Sequence, residues 1–318
     1  MTQAPVLFLI FNRPHETTRV FEAIRRARPS RLYIAADGPR SDKPGEEVLC
    51  EKTRRVVEPA HIDWPCEVSR LFRSENLGCG RAVSEAISWF FDREELGLII
   101  EDDILPGQDF FRFCDLLLEE YRSDSRVMHI NGSNYLYRKP DLPRGYYASR
   151  IPHIWGWATW RRAWQHYSFR MPGSAKDYDS NANFWPQHLT GRDRRKWAEV
   201  FARTGRMETN TWDYQWTYAV WKGGGLCLTP EVNLVSNLGL NKKGTHGLGL
   251  YRPVNHLTPE AIKGDIVNPD SLEVRTDRDR FVQRHNFFDT NPLRKWIERL
   301  RWMLTLGRVP PRFKEKAN

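Results

Sequence analysis

No apolar run in the chain approaches the roughly 20 residues needed to cross a bilayer. The first apolar stretch, Val6 to Phe11, is short and has no basic segment ahead of it. It reads as an opening β-strand rather than a secretory leader. Cysteine is sparse, with five in 318 residues and none in CxxC spacing. An odd count without paired spacing argues against a disulfide framework or a zinc site and fits a reducing, cytoplasmic setting. Zinc-finger spacing, RNP-like runs and basic blocks interleaved with aromatics are also missing. The net charge of +9 therefore does not signal specific nucleic-acid binding. Spread positive charge suits diphosphate substrates or an anionic membrane surface better. Repeats and low-complexity stretches are absent, which leaves ordinary globular architecture.

What is present is a folded composition. Hydrophobic residues make up 40% of the chain, and there are 13 Trp. Most of these are expected in the core, although a flat indole also stacks well on bases and sugars.

The first hundred residues alternate strand and helix. Val6–Phe11 is a continuous apolar run, as expected for a parallel strand buried on both faces. His15 to Ala27 carries Val20, Phe21, Ile24 and Ala27 at helical spacing. Strand signals recur at 31–36, 66–72 and 96–100, with helices at 45–57 and 81–91 between them. This β-α-β-α-β-α-β series predicts an α/β fold with a mostly parallel central sheet flanked by helices. In such sheets the ligand lies beyond the carboxyl ends of the strands. Asn12-Arg13, Asp37 and Glu101-Asp102-Asp103 sit at three of those ends. Farther on, helices are expected at 109–121, 196–203, 212–221 and 291–306, and strands at 127–131 and 226–228. Leu240 to Val254 reads as a Gly-rich basic loop.

Adjacent carboxylates at a strand exit repel one another and invite a cation. Their hard oxygens suit Mg²⁺ or Mn²⁺ against a diphosphate, while a solvated acidic turn is the plain alternative. Asp37 before Gly38-Pro39 is either a base or ribose acceptor or a turn former. Asn76-Leu77-Gly78-Cys79-Gly80 is neither a P-loop nor GxGxxG. Arg81 behind it, at a helix start, could meet a phosphate. Asp213 stands among Trp212, Tyr214 and Trp216, as a general base in an aromatic setting or simply as a helix N-terminal acid.

These segments occur in a telling order: Asp37, Asn76 to Ala82, LGLIIEDDILP at 96–106, WGWATWRRAW at 155–164, Trp212-Asp213, and LTPEVNLVSNLGLNKKGTHG at 228–247. The set resembles the inverting GT-A glycosyltransferases of the N-acetylglucosaminyltransferase I family, and among them the bacterial nucleotide-diphospho-sugar transferases. The likeness spans residues 5 to 250. It implies a GT-A domain over 1–254, with a nucleotide half at 1–103 and an acceptor half at 104–254, and a C-terminal extension over 255–318. It implies a UDP-sugar donor and a glycan or lipid-linked saccharide acceptor, with Mn²⁺ or Mg²⁺ as cofactor. Asp103 would ligate the metal, and Glu101 and Asp102 would meet donor sugar and ribose. Asp37 would contact uracil beside Asn12 and Arg13, and Asp213 would be the base. The loop with Lys243 and His246 would close over the diphosphate.

The family's membrane anchor and stem have no counterpart here, and 164–211 matches poorly, so acceptor identity does not transfer. The basic helix at 291–306 leaves two placements open, on an anionic inner membrane face or packed on the domain. The rival classes are a nucleotide-sugar-forming nucleotidyltransferase and a non-catalytic binding protein of the same fold.

Overall fold

The computed structural model describes residues 1–136, 145–171, 183–240, 254 and 257–287. Its strands are β1 (Val6–Ile10), β2 (Arg31–Ala36), β3 (Glu67–Phe72), β4 (Leu96–Glu101), β5 (Ile104–Pro106), β6 (Val127–Asn131), β7 (Tyr146–Ser149), β8 (Trp157–Trp160), β9 (Leu226–Pro230) and β10 (Val235–Asn237). Its helices are α1 (Pro14–Ala27), α2 (Glu46–Val56), α3 (Gly78–Phe91), α4 (Gln108–Glu120), α5 (Arg161–Trp164), α6 (Gly191–Gly205), α7 (Asp213–Lys222) and α8 (Thr276–Asn286).

The chain adopts the expected α/β architecture. One sheet runs in the order β3-β2-β1-β4-β8-β6-β9-β7. Six of its eight strands point one way; only β8 and β7 oppose their neighbours. Alternation along β1 explains its unbroken apolar run. Val6, Phe8 and Ile10 enter the core on one face with Phe21, Phe110 and Leu117. Leu7 and Leu9 enter the other with Ile87, Phe90 and Trp216. Side chains that alternate across a sheet covered on both sides must all be apolar.

Most Trp residues are core, as expected. Trp157 stacks on Trp212 with centroids 5.6 Å apart and on His129 at 5.0 Å. Strands β5, β7, β8 and β10 have no counterpart in the periodicity. They are three or four residues long, too short for alternation to register. β8 lies inside the aromatic 155–164 segment and inserts antiparallel between β4 and β6.

Topology fixes where a ligand can enter. From β1 the chain passes through α1 to β2 and then to β3, moving to one side. It then returns to β4 on the other side of β1. The crevice opened by this reversal lies between the carboxyl ends of β1 and β4. Just beyond, β5 pairs antiparallel with β10, with Ile104 opposite Asn237. That short ribbon brings the residues after β10 back over the end of β4.

The described part of the C-terminal segment packs on the far edge of the sheet. Val267 and Val274 bridge to Gly145 and Ala148. Arg278 of α8 meets Glu231 at 2.7 Å in a buried pair. The basic helix expected at 291–306 lies outside the described residues. No helix among the described residues is long and apolar enough to cross a membrane.

Candidate active site

The acidic run emerges where the topology opens the crevice. Glu101 is the last residue of β4, and Asp102 and Asp103 turn into β5. Asp102 is buried. It accepts the Phe11 N–H at 3.0 Å through Oδ2 and Arg13 Nη1 at 3.1 Å through Oδ1. The same Nη1 reaches Asp103 Oδ2 at 2.5 Å. The exit of β1 is thus clamped to the exit of β4 by one guanidinium and one backbone N–H.

Three carboxylates face one cation here, and burial sharpens the imbalance. Burial, then the fields of Asp103 and Asp102, raise Glu101 well above the usual carboxylate range. Burial and Asp103 push Asp102 up to about 7. Burial also raises Asp103, against the pull of Arg13. For Arg13, burial works downward, but Asp102, Asp103 and Glu101 override it and hold the guanidinium above its ordinary value. Such a rim takes up protons or a further cation.

The acids do not form a closed metal cage. Among the described residues no group of three or more His, Cys, Asp or Glu is arranged to hold an ion. Excess hard oxygen at an open rim fits a Mg²⁺-like ion that takes one or two carboxylates from protein and the rest from phosphate and water.

Asp37 serves the backbone. Its carboxylate accepts N–H bonds from Gly38 at 3.0 Å, Leu77 at 3.0 Å and Gly78 at 3.1 Å, tying the end of β2 to the start of α3. Burial raises it, and those same bonds hold it down. Gly38 is obligatory, since a β-carbon there would stand 2.4 Å from the Glu75 carbonyl carbon. Asn12 donates to Glu46 Oε1 at 2.9 Å, and Glu46 is in turn paired with Arg40. Arg40 lies 5.8 Å from the Phe11 ring centroid. Arg81 stands apart, exposed and paired with Glu85 at 2.9 Å.

Asp213 opens α7, and Thr211 Oγ1 donates to its Oδ1. Its charge is felt at Glu101 and also at Cys79 in the first turn of α3. The Cys79 side chain touches solvent yet lies in a cleft walled by protein. Desolvation there, then Glu101, Asp213 and Asp103, push its thiol up to about 12. Asp213 therefore lies near enough to the acidic run for its charge to act on Glu101. The glycine turn explains how. Gly80 N–H donates to Asn210 Oδ1 at 2.9 Å. A β-carbon at Gly78, where φ is +78°, would stand 2.6 Å from Asn210 Nδ2. The turn docks α3 against the segment that delivers Asp213.

The fold brings Arg13, Glu101, Asp102 and Asp103 together at the sheet's reversal point, with Asp213 near enough for its charge to act on Glu101 and with Asn12 and Asp37 on adjoining strand exits. Lys243 and His246 lie outside the described residues. Sequence reasoning missed Glu46, Asn210 and Gly239. Gly239 approaches Asp103 so closely that a β-carbon would stand 2.1 Å from Oδ2. Only the paired glycines of the 76–80 turn hinted at such tight docking.

No family model matches the chain, and no curated protein matches it. Some solved structures are loosely similar. HddC from Yersinia pseudotuberculosis aligns with 50% of this chain and 78% of its own, at 12% identity and a TM-score of 0.31. UDP-glucose pyrophosphorylase in complex with UDP-glucose aligns with 72% of this chain and 90% of its own, at 12% identity and a TM-score of 0.33. Likeness at that level carries no argument about chemistry, which rests on the cleft itself.

Proposed function

We propose that the protein is a metal-dependent glycosyltransferase of the GT-A type. It would move a sugar from a UDP-sugar to a hydroxyl of a glycan or lipid-linked saccharide, with inversion at the anomeric carbon. The observation that carries this reading is the convergence of Arg13, Glu101, Asp102 and Asp103 at the sheet's reversal point, with Asp213 near enough for its charge to act on Glu101.

In this reading Asp103 holds Mn²⁺ or Mg²⁺ together with the donor diphosphate. The cation supplies neutralisation of the leaving UDP. Glu101 and Asp102 orient donor sugar and ribose, and Asn12 and Asp37 shape the base pocket. Arg13 holds Asp102 and Asp103 in register and favours their ionised forms against burial. Asp213 accepts the proton of the acceptor hydroxyl as that oxygen bonds to the anomeric carbon and the bond to the diphosphate oxygen breaks. Lys243 and His246 would cover the diphosphate and exclude water. Residues 1–254 then form the transferase domain, with its nucleotide half ending at Asp103.

The rival is a nucleotidyltransferase that makes nucleotide sugars, the chemistry that the name UDP-glucose pyrophosphorylase describes for that protein. Such an enzyme wants a glycine- and lysine-rich activation loop after the first strand. Here only Phe11, Asn12 and Arg13 separate β1 from α1, and they are engaged with Asp102, Asp103 and Glu46.

Calorimetry with UDP, with and without Mn²⁺, on wild type and Asp103→Ala tests the donor site. Metal-dependent UDP binding that disappears in the variant supports it. Absence of any nucleotide binding removes the reading. Sugar-dependent release of UDP, against formation of UDP-sugar from UTP and a sugar phosphate, then separates transferase from nucleotidyltransferase.

A further inference from the structure

Asp213 also lines a cavity of about 210 Å³ whose described lining includes none of the acidic run. Its apolar walls include Trp155, Trp197 and Trp221, and its polar lining includes His153 and Gln283. His153 and Gln283 are each only 3% exposed. Each keeps one buried nitrogen without a hydrogen-bond partner, Nε2 in both cases.

The chemical character of these two atoms follows from their neighbours. His153 Nδ1 lies 2.9 Å from the Ser133 carbonyl oxygen. A carbonyl can only accept, so Nδ1 carries the proton and Nε2 is left as an acceptor lone pair. Burial keeps the ring neutral by lowering it to about 4. Stacking on Tyr135, with centroids 4.0 Å apart, fixes its plane. The Trp197 indole N–H can only donate, and it reaches Gln283 Oε1 at 3.3 Å. The other end of that amide is therefore an NH₂ donor. Leaving a buried polar group unmet is costly, and two of opposite character line one hollow. Among the described residues, neither Lys nor Arg lines it.

We propose that this cavity seats the acceptor sugar as a single neutral pyranose ring. The ring lies against the indole walls, gives one hydroxyl hydrogen to His153 Nε2, receives the Gln283 amide hydrogens, and turns its reacting hydroxyl toward Asp213. The inference rests on the reading of Asp213 as the base. Size selects one ring, because pockets that hold drug-sized ligands run to roughly 300–1,000 Å³. Charge selects a neutral ring, because a carboxylated sugar would meet Asp213 with no cation among the described lining residues. Aromatic faces and paired donor and acceptor atoms are what a polyhydroxylated ring needs. Gln283 belongs to α8, so the helix beyond the transferase-like segment takes part in acceptor choice.

The test uses the full-length protein and a panel of methyl hexopyranosides, with methyl glucuronide as the charged member. Indole emission reports binding, since three Trp line the cavity. Neutral hexosides should shift the emission and methyl glucuronide should not. Gln283→Leu should weaken hexoside binding at least tenfold while calorimetric UDP–Mn²⁺ binding persists. Trp155→Leu provides a second variant with a partly exposed side chain, and near-UV circular dichroism checks that both fold. A protein that binds UDP and Mn²⁺ but no hexoside overturns the proposal, as do variants that bind hexosides as wild type does. Hexoside binding weakened by both variants, in a protein that binds no UDP, upholds the sugar cavity and sinks the donor reading instead.

Discussion

Gly239 lies against the carboxylate of Asp103 with no room for a β-carbon, which would fall 2.1 Å from Oδ2. Both residues are held in place. Leu238 N–H donates to the Asp103 carbonyl at 2.7 Å, and Gly239 N–H donates to Asn237 Oδ1 at 2.8 Å. Gly239→Ala should therefore displace the Asp103 carboxylate from Arg13. We expect metal-dependent UDP affinity to fall about tenfold or more, roughly 1.4 kcal/mol, with little loss of thermal stability. Calorimetry on a variant that melts like wild type decides it, and unchanged affinity would remove Asp103 from the donor site.

Arg13→Met leaves Asp102 and Asp103 crowded without their cation. Breaking a buried pair by removing one partner costs about 3–5 kcal/mol. The Arg13 side chain is 31% exposed, so the loss should sit at the lower end of that range. Urea denaturation in the absence of divalent ions measures it. Mn²⁺ with UDP should restore part of the stability, and a fully stable variant would contradict the charge imbalance described above.

Asp213→Asn keeps the shape of the side chain and an oxygen for Thr211. The transfer rate should drop about 10²–10⁴-fold, the usual contribution of a positioned base, with UDP affinity unchanged. Single-turnover kinetics beside donor binding separate the two effects. A variant that turns over normally would assign the proton to another group.

Asp279 gives the stability a pH dependence of definite sign. It is buried, accepts from Ser149 Oγ at 2.6 Å and Arg150 N–H at 2.8 Å, and lies 3.5 Å from His188 Nδ1. Burial pushes it up to about 7, whereas an unfolded aspartate titrates near about 3.9. Between these values the folded state holds a proton that the unfolded state has lost. Stability therefore falls as pH rises, and the contribution is gone above the folded value. His129, His153 and His188, lowered by burial to about 3, 4 and 3, act in the opposite sense below about 6.5. The window from about pH 6.5 to 8 consequently isolates the acids. Urea midpoints there should decline with pH in wild type and decline less in Asp279→Asn, by up to about 1 kcal/mol per pH unit. Equal slopes would refute the assignment.

Much of the first hundred residues was legible from local pattern. The runs at β1, β2 and β4 announce buried parallel strands because, apart from Arg31 and Glu101 at their ends, every residue in them is apolar, aromatic or small. Glu101-Asp102-Asp103 stood out because charge does not follow such a run without reason. The antiparallel strands escaped notice. β8 contains Trp157 and Trp160, which read as an aromatic cluster until their pairing with Ile99 and Leu96 is seen. Arg81 was expected near phosphate, and its i,i+4 pairing with Glu85 instead keeps it on the helix surface. Asp37 was expected to contact a base, and the structure adds what no local pattern announces: its carboxylate accepts N–H bonds from Gly38 in its own turn and from Leu77 and Gly78 at the start of α3.

The sequence by itself determined the alternation of strand and helix, the parallel sense of the first four strands and the chemistry at their exits. Periodicity and turn residues act over a few positions and need no distant partner. Tertiary structure alone decided that Arg13 grips Asp102 and Asp103, that Gly239 presses on Asp103, and that Gln283 of α8 shares a cavity with Asp213. Those contacts join residues from 70 to 136 positions apart. Their geometry is set by strand order and side-chain packing, which no local pattern records.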